Sequence, residues 1–157
     1  MNRIRLLTLL VAVLSLGLFA VPAHSATVFT AQLNGGNEVA NVDTQARGAA
    51  IFRLSADGTE LHYRLIASNI DDVTMAHIHL APVGENGAPV VWLYEPDAGD
   101  GTHNGVLATG VITEADFINQ LAGHDMSHLL ELIESGGAYV NVHTVDNPGG
   151  EIRGQLH

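Results

Sequence analysis

Cysteine is absent from all 157 residues, and lysine is absent as well. Without cysteine there are no disulfides and no thiolate metal sites, so an exported domain of this sequence must hold by packing alone. His, Met, Asp and Glu remain as possible metal ligands. Without lysine the fixed cations are arginines, and past residue 25 these are only Arg47, Arg53, Arg64 and Arg153, against 17 aspartates and glutamates. Nucleic acid and anionic lipid surfaces are poor partners for such a chain. Aromatics make up 5% of the residues, so an aromatic interaction patch has Trp92 and Tyr94 to draw on. Ser55, Ser68, Ser127 and Ser135 sit in no nucleophile-elbow pattern, and there is no Walker-type loop or Rossmann fingerprint. The paired carboxylates Asp71-Asp72 fall in a turn pattern, where solvation accounts for them. A hydrolase is disfavoured.

The chain opens with Arg3 and Arg5, an apolar stretch from Leu6 to Val21, and Ala23-His24-Ser25 before Ala26. That pattern is a secretory signal peptide spanning residues 1–25, cleaved after Ser25. The competing reading is an uncleaved anchor, but the apolar run barely reaches spanning length. No cysteine follows to carry a lipid. Residues 26–157 then form one secreted or periplasmic domain, with no membrane attachment after cleavage.

Beyond the signal the apolar pattern has mostly period two. Candidate strands are Val28–Leu33, Gly48–Leu54, Leu61–Ser68, Met75–Leu80, Pro89–Leu93, Gly105–Ile112, Ala138–Thr144 and Gly150–Gln155. Turn chemistry separates them, as in Asn34-Gly35-Gly36-Asn37, Ala56-Asp57-Gly58, Glu85-Asn86-Gly87 and Asn147-Pro148-Gly149-Gly150. Many short strands at this spacing predict a mainly β fold, an antiparallel Greek-key-like sandwich or barrel. Thr113-Glu114-Ala115-Asp116 predicts a helix start, with Phe117, Ile118 and Leu121 following. Asp125 predicts the cap of a second helix running to Gly136, with Leu129, Leu130, Leu132 and Ile133 covering the sheets.

Two histidine-bearing strands carry the sharpest chemistry. In Met75-Ala76-His77-Ile78-His79-Leu80 the imidazoles alternate with apolar side chains, so His77 and His79 share one face. In Tyr139-Val140-Asn141-Val142-His143-Thr144, His143 holds the same polar phase as Asn141. Two imidazoles from one strand and a third from another make up much of a transition-metal site. The plainer reading is a row of polar residues on a solvated face.

These stretches also carry a family resemblance. Ala31-Gln32-Leu33-Asn34-Gly35-Gly36-Asn37-Glu38-Val39, the Ala76–His79 run with Gly84, Asn86-Gly87 and Pro89-Val90-Val91, and Tyr139–Thr144 continuing into Gly149-Gly150-Glu151-Ile152-Arg153-Gly154-Gln155 resemble the chordin-type CHRD domain. That module occurs in animal chordins and as single domains in secreted bacterial proteins. The resemblance covers Phe29 to Leu156 and implies a CHRD domain over residues 26–157; it implies no single activity. The His-x-His strand is also similar to the copper-ligand strand of copper-zinc superoxide dismutases, which implies copper ligation by His77 and His79, with His143 third. The dismutase zinc loop and disulfide have no counterpart here.

Further ligand candidates are weaker. If Leu61–Ser68 and Met75–Leu80 form a hairpin, His62 becomes a diagonal neighbour of His79; otherwise it is an exposed surface histidine. His124 and His128 share a helical face, with Met126 between them as a thioether donor or as a core residue. Met75 shares the face of His77, as an axial ligand or as packing at a strand end. The Asp97–His103 loop offers carboxylates, but not at EF-hand spacing. Glu151 and Arg153 share a face of the last strand, where a structural ion pair is expected.

Two functions of different class follow. One is a metal-binding protein for copper, with zinc less favoured, acting in storage, buffering or delivery. The other is a metal-free module that binds another exported protein, or itself as a dimer. A copper redox enzyme of dismutase type is a third, minor reading. Enzymatic activity is not the expectation.

Overall fold

The computed structural model describes residues 27–95 and 101–157. The proposed signal peptide lies outside the described residues, as do residues 97–100 of the Asp97–His103 loop.

Eight strands form one antiparallel sheet: β1 (Val28–Asn34), β2 (Arg47–Leu54), β3 (Leu61–Asp71), β4 (Val73–Leu80), β5 (Pro89–Tyr94), β6 (Thr102–Ile112), β7 (Ala138–Thr144) and β8 (Ile152–Gln155). Their order is β5-β4-β7-β8-β1-β2-β3-β6, and the end strands β5 and β6 approach each other, so the sheet curls into a nearly closed barrel. Across the interior the Tyr63 hydroxyl of β3 donates to the Leu93 carbonyl of β5 at 2.7 Å. The inward phase of every strand feeds one core, in which Phe29, Phe52, Leu65, Ile78, Val140, Val142 and Ile152 pack together. This is the mainly β architecture that period-two patterning predicts.

One α-helix, α1 (Met126–Glu134), precedes the last two strands. The Asp125 side chain caps it by accepting from the His128 amide at 3.1 Å. Met126, Leu129 and Ile133, spaced three and four apart, are buried on one stripe, and Leu130 and Leu132 pack against the core beside them. Gly136, at φ +74°, ends the helix in the left-handed conformation that glycine adopts without cost.

The helix expected from Thr113 is instead two 3-10 turns, Glu114–Asp116 and Asn119–Leu121. The expected start is there: Asp116 Oδ2 accepts from the Thr113 amide and hydroxyl at 2.8 and 2.9 Å. It does not propagate because Phe117 and Ile118 are extended, and the Ile118 amide donates to the Val90 carbonyl of β5. Phe117 and Leu121 are both buried only because the chain follows the sheet.

β3 and β4 run closer together in sequence than the turn residues suggest. Asn69 (φ +51°) makes a bulge against β6, Ile70 returns to the core, and Asp72 (φ +47°) alone joins the strands. Asn and Asp tolerate that left-handed region.

Candidate metal centre

β4 and β7 are neighbours in the sheet, which brings the two histidine strands together. Their register sets Met75 opposite His143, His77 opposite Asn141, and His79 opposite Tyr139. His143 is therefore the diagonal neighbour of His77. β8 extends the rows with Arg153 beside Asn141 and Gln155 beside Tyr139. Ala76, Ile78, Val140 and Val142 point into the core, so this polar array lies on the barrel's outer side.

That outer side is not solvated. Every residue of β7 is buried, on both faces. The β1–β2, β4–β5 and β7–β8 connections fold over the array, leaving His77, His79 and His143 at 3%, 7% and 6% exposure. The ligand nitrogens of the three lie within 4.8 Å of one another. Their ring centroids form a nearly regular triangle, with sides of 5.3 Å (His77–His79), 5.3 Å (His77–His143) and 5.6 Å (His79–His143).

The hydrogen bonds fix how two of the rings present themselves. His79 Nδ1 lies 2.9 Å from the Gly87 carbonyl, and His143 Nδ1 lies 3.0 Å from the Pro148 carbonyl. A carbonyl only accepts, so each Nδ1 carries the proton and each Nε2 is left with a bare lone pair. Both Nε2 atoms, and both nitrogens of His77, are buried without a partner. Orphaned buried nitrogens of this kind are costly. A cation shared by one lone pair from each ring would satisfy three of the four, and an outward Nδ1–H bonded to a backbone carbonyl is the usual support of a metal-bound imidazole.

Electrostatics keep the trio in the ligand form. Burial, then the neighbouring His143 and His79, push His77 down to about 3. Burial also takes His79 down to about 4 against the opposing Gly87 hydrogen bond, with His143 and Arg153 adding to the decrease. His143 is lowered by burial, partly offset by its bond to Pro148. All three are neutral at pH 7, and neutral imidazole suits zinc and copper. The residues present therefore fit a transition-metal ion, with three nitrogen donors and no negative ligand.

The other candidates separate from the trio. Met75 stays on the same face opposite His143, half-buried. His62 does not join: β3 pairs with β2 and β6, not β4, and His62 is exposed beside Glu60 at 3.2 Å. The hairpin that would have placed it near His79 does not form, because the chain crosses the barrel after Asp72. His124 and His128 stack at 4.2 Å near the start of α1, but Met126 turns into the core at 2% exposure and is not available between them. Among the described residues the trio is the one His, Asp and Glu group with ligand atoms this close.

Several neighbours were not anticipated. Arg153, at 1% exposure, lies with its guanidinium carbon 3.5 Å from the centre of the Tyr139 ring and donates to Asn86 Oδ1 (3.3 Å) and the Pro82 carbonyl (3.1 Å). It thereby ties β8 to the loop that carries Gly87. Tyr139 stacks on His79 in turn. The expected Glu151–Arg153 pair is not made. β8 begins at Ile152, and Glu151 instead accepts from Thr44 (2.7 Å), Thr144 (2.8 Å) and Asn147 (3.3 Å). The acid that feels Arg153 is Glu38, which accepts from Asn141 at 3.4 Å and is raised by burial against both those partners. Trp92, half-exposed, closes the site over His77 with ring centroids 4.1 Å apart. Strand phase and the family motifs signalled Tyr139, Asn141 and Arg153; for Glu38, in a turn, only its place in the opening motif did.

A family model for the CHRD domain matches residues 29–156. No curated protein and no solved structure matches the chain. Among the described residues no helix is long and apolar enough to cross a membrane. The three histidines and the loops that cover them all fall inside the matched span, and over that span, nearly its whole length, the chain belongs to the CHRD domain family.

Proposed function

We propose that this protein is an exported metal-binding protein that holds one copper ion through His77, His79 and His143, for storage, buffering or delivery. The observation that carries the reading is the set of buried, unpartnered imidazole nitrogens within 4.8 Å of one another, two of them oriented by backbone carbonyls. Copper is favoured over zinc because nitrogen sites bind Cu²⁺ more tightly than the other divalent first-row ions. The half-buried thioether of Met75 on the same face also suits Cu(I).

Isothermal titration of the metal-stripped protein tests this, with Cu(II) and separately with Cu(I) under reductant and a competing chelator. Wild type is expected to bind near one ion per chain, and His77→Ala/His79→Ala to lose that binding. Weak uptake that the double variant leaves unchanged would refute the site, since an acidic surface collects cations without one.

A further inference from the structure

The other half of the sheet, formed by β1, β2, β3 and β6, turns a different kind of surface outward. One registered row runs Val28, Arg53, His62, Val111, and the next runs Thr30, Ile51, Arg64, Thr109. Two more rows continue from Gln32 and Asn34. No aspartate or glutamate occupies any position in the four rows, and Glu60, 3.2 Å from His62, borders them at one end. In a chain with 17 acidic residues, this face gathers Arg47, Arg53 and Arg64, which are all the arginines after residue 25 except the buried Arg153. Arg47 is spent on the carbonyls of Thr44 and Ala46. Arg53 and Arg64 are exposed and make no ion pair among the described residues, and Val28, Ile51, Val106 and Val111 are exposed around them.

Exposed arginine and aliphatic groups with few carboxylates among them are the composition of a protein-binding surface rather than of a solvated one. Four strands about 4.8 Å apart and four rows about 6.8 Å apart give on the order of 500 Å². That is below the roughly 800 Å² per partner of a stable complex, so contact through it is reversible. A twofold dimer centred on this face would set the same arginines against each other. The complementary surface lies beyond the Arg47 end of this face, where the exposed Asp43, Asp71 and Asp146 line a polar cavity of about 360 Å³.

We propose that this arginine-bearing face docks the acidic cavity of a second copy of this chain, head to tail. The arginine forks meet carboxylates there, and the aliphatic residues between them are covered. Because donor and acceptor surfaces differ, association continues past the dimer as concentration rises. This inference does not depend on the metal site.

Sedimentation velocity from micromolar to millimolar protein tests it, on wild type, Arg53→Glu/Arg64→Glu and Asp43→Arg/Asp146→Arg, with folding checked by circular dichroism. All four substituted residues are exposed. Wild type is expected to gain mass with concentration, less so in high salt, and each variant alone to stay monomeric. An equimolar mixture of the two variants is expected to regain association, because every reversed charge then meets its opposite. A monomeric wild type, or variants that associate as wild type does, would overturn the proposal. So would binding to phosphatidylglycerol vesicles through Arg53 and Arg64 without self-association, which would assign the face to lipid.

Discussion

Protons and a metal ion compete for the same imidazole lone pairs, so the lowered histidines predict how metal affinity follows pH. An ordinary imidazole with a pKa of about 6.5 is about half as available again at pH 7 as its protonation allows at its midpoint, and between pH 7 and 5.5 its neutral fraction falls about eightfold. Two of them acting together would weaken binding about sixtyfold over that interval. His77 at about 3 and His79 at about 4 remain almost wholly neutral at pH 5.5. Their contribution to the loss is therefore less than about twofold. The apo fold responds with the opposite economy. Its folded-state values lie below the unfolded one, so the unfolded chain binds more protons as pH falls below about 6.5. The stability from burying neutral imidazoles is full above that pH and is lost on acidification towards the folded values. Chelator competition at pH 7, 6 and 5.5, corrected for the chelator's own protonation and run where circular dichroism shows the fold intact, measures the affinity. A fall of sixtyfold or more would show that His77 and His79 titrate normally, and that the buried triangle is wrong.

Three further outcomes are expected from substitutions around the trio. Gly87→Ala drives a Cβ into the Leu80 carbonyl, a backbone group that cannot swing aside, so the loop must shift and release His79 Nδ1; urea unfolding should show a loss of about 1–3 kcal/mol, and the metal-loaded form should be less protected. Arg153→Met keeps a long apolar stem against Tyr139 but removes the bonds to Asn86 and Pro82; a cost of about 2 kcal/mol in the same assay is expected, and no change in stability would mean that the guanidinium ties nothing together. Leu129→Ala empties a fully buried position where α1 meets the core, with an expected loss of about 2–5 kcal/mol by thermal or urea unfolding and no change in metal stoichiometry.

Most of the eight strands were legible because they bury one alternating face, as in β3, where the buried Leu61 and Leu65 alternate with the exposed His62 and Arg64. Their ends were less so. Asn69 and Asp72 look like turn residues in sequence, yet they serve as a bulge and a one-residue join because either role needs the same left-handed backbone. The capping pattern at Thr113 was real, but a cap starts a helix without deciding whether the next residues are wanted by a sheet. For the site, phase told which face His77, His79 and His143 occupy, and pairing of β4 with β7 then decided that they meet. Pairing is a long-range property, which is why His62, equally plausible by phase, ended on the far side of the barrel. The burial of Glu38 was invisible for the same reason: it comes from what folds over that residue.

β7 has consequences for how fast an ion could leave. It is flanked by β4 and β8 and covered on both sides, so it has no route to open short of unfolding the domain. Escape is left to the segments that hold the rings from outside, residues 81–88 and 145–151, through the carbonyls of Gly87 and Pro148. The residence time of an ion held there would thus be set by loop breathing, and its affinity by the strands. Stiffer loops there would make a slow reservoir and looser ones a quick courier, with every ligand unchanged.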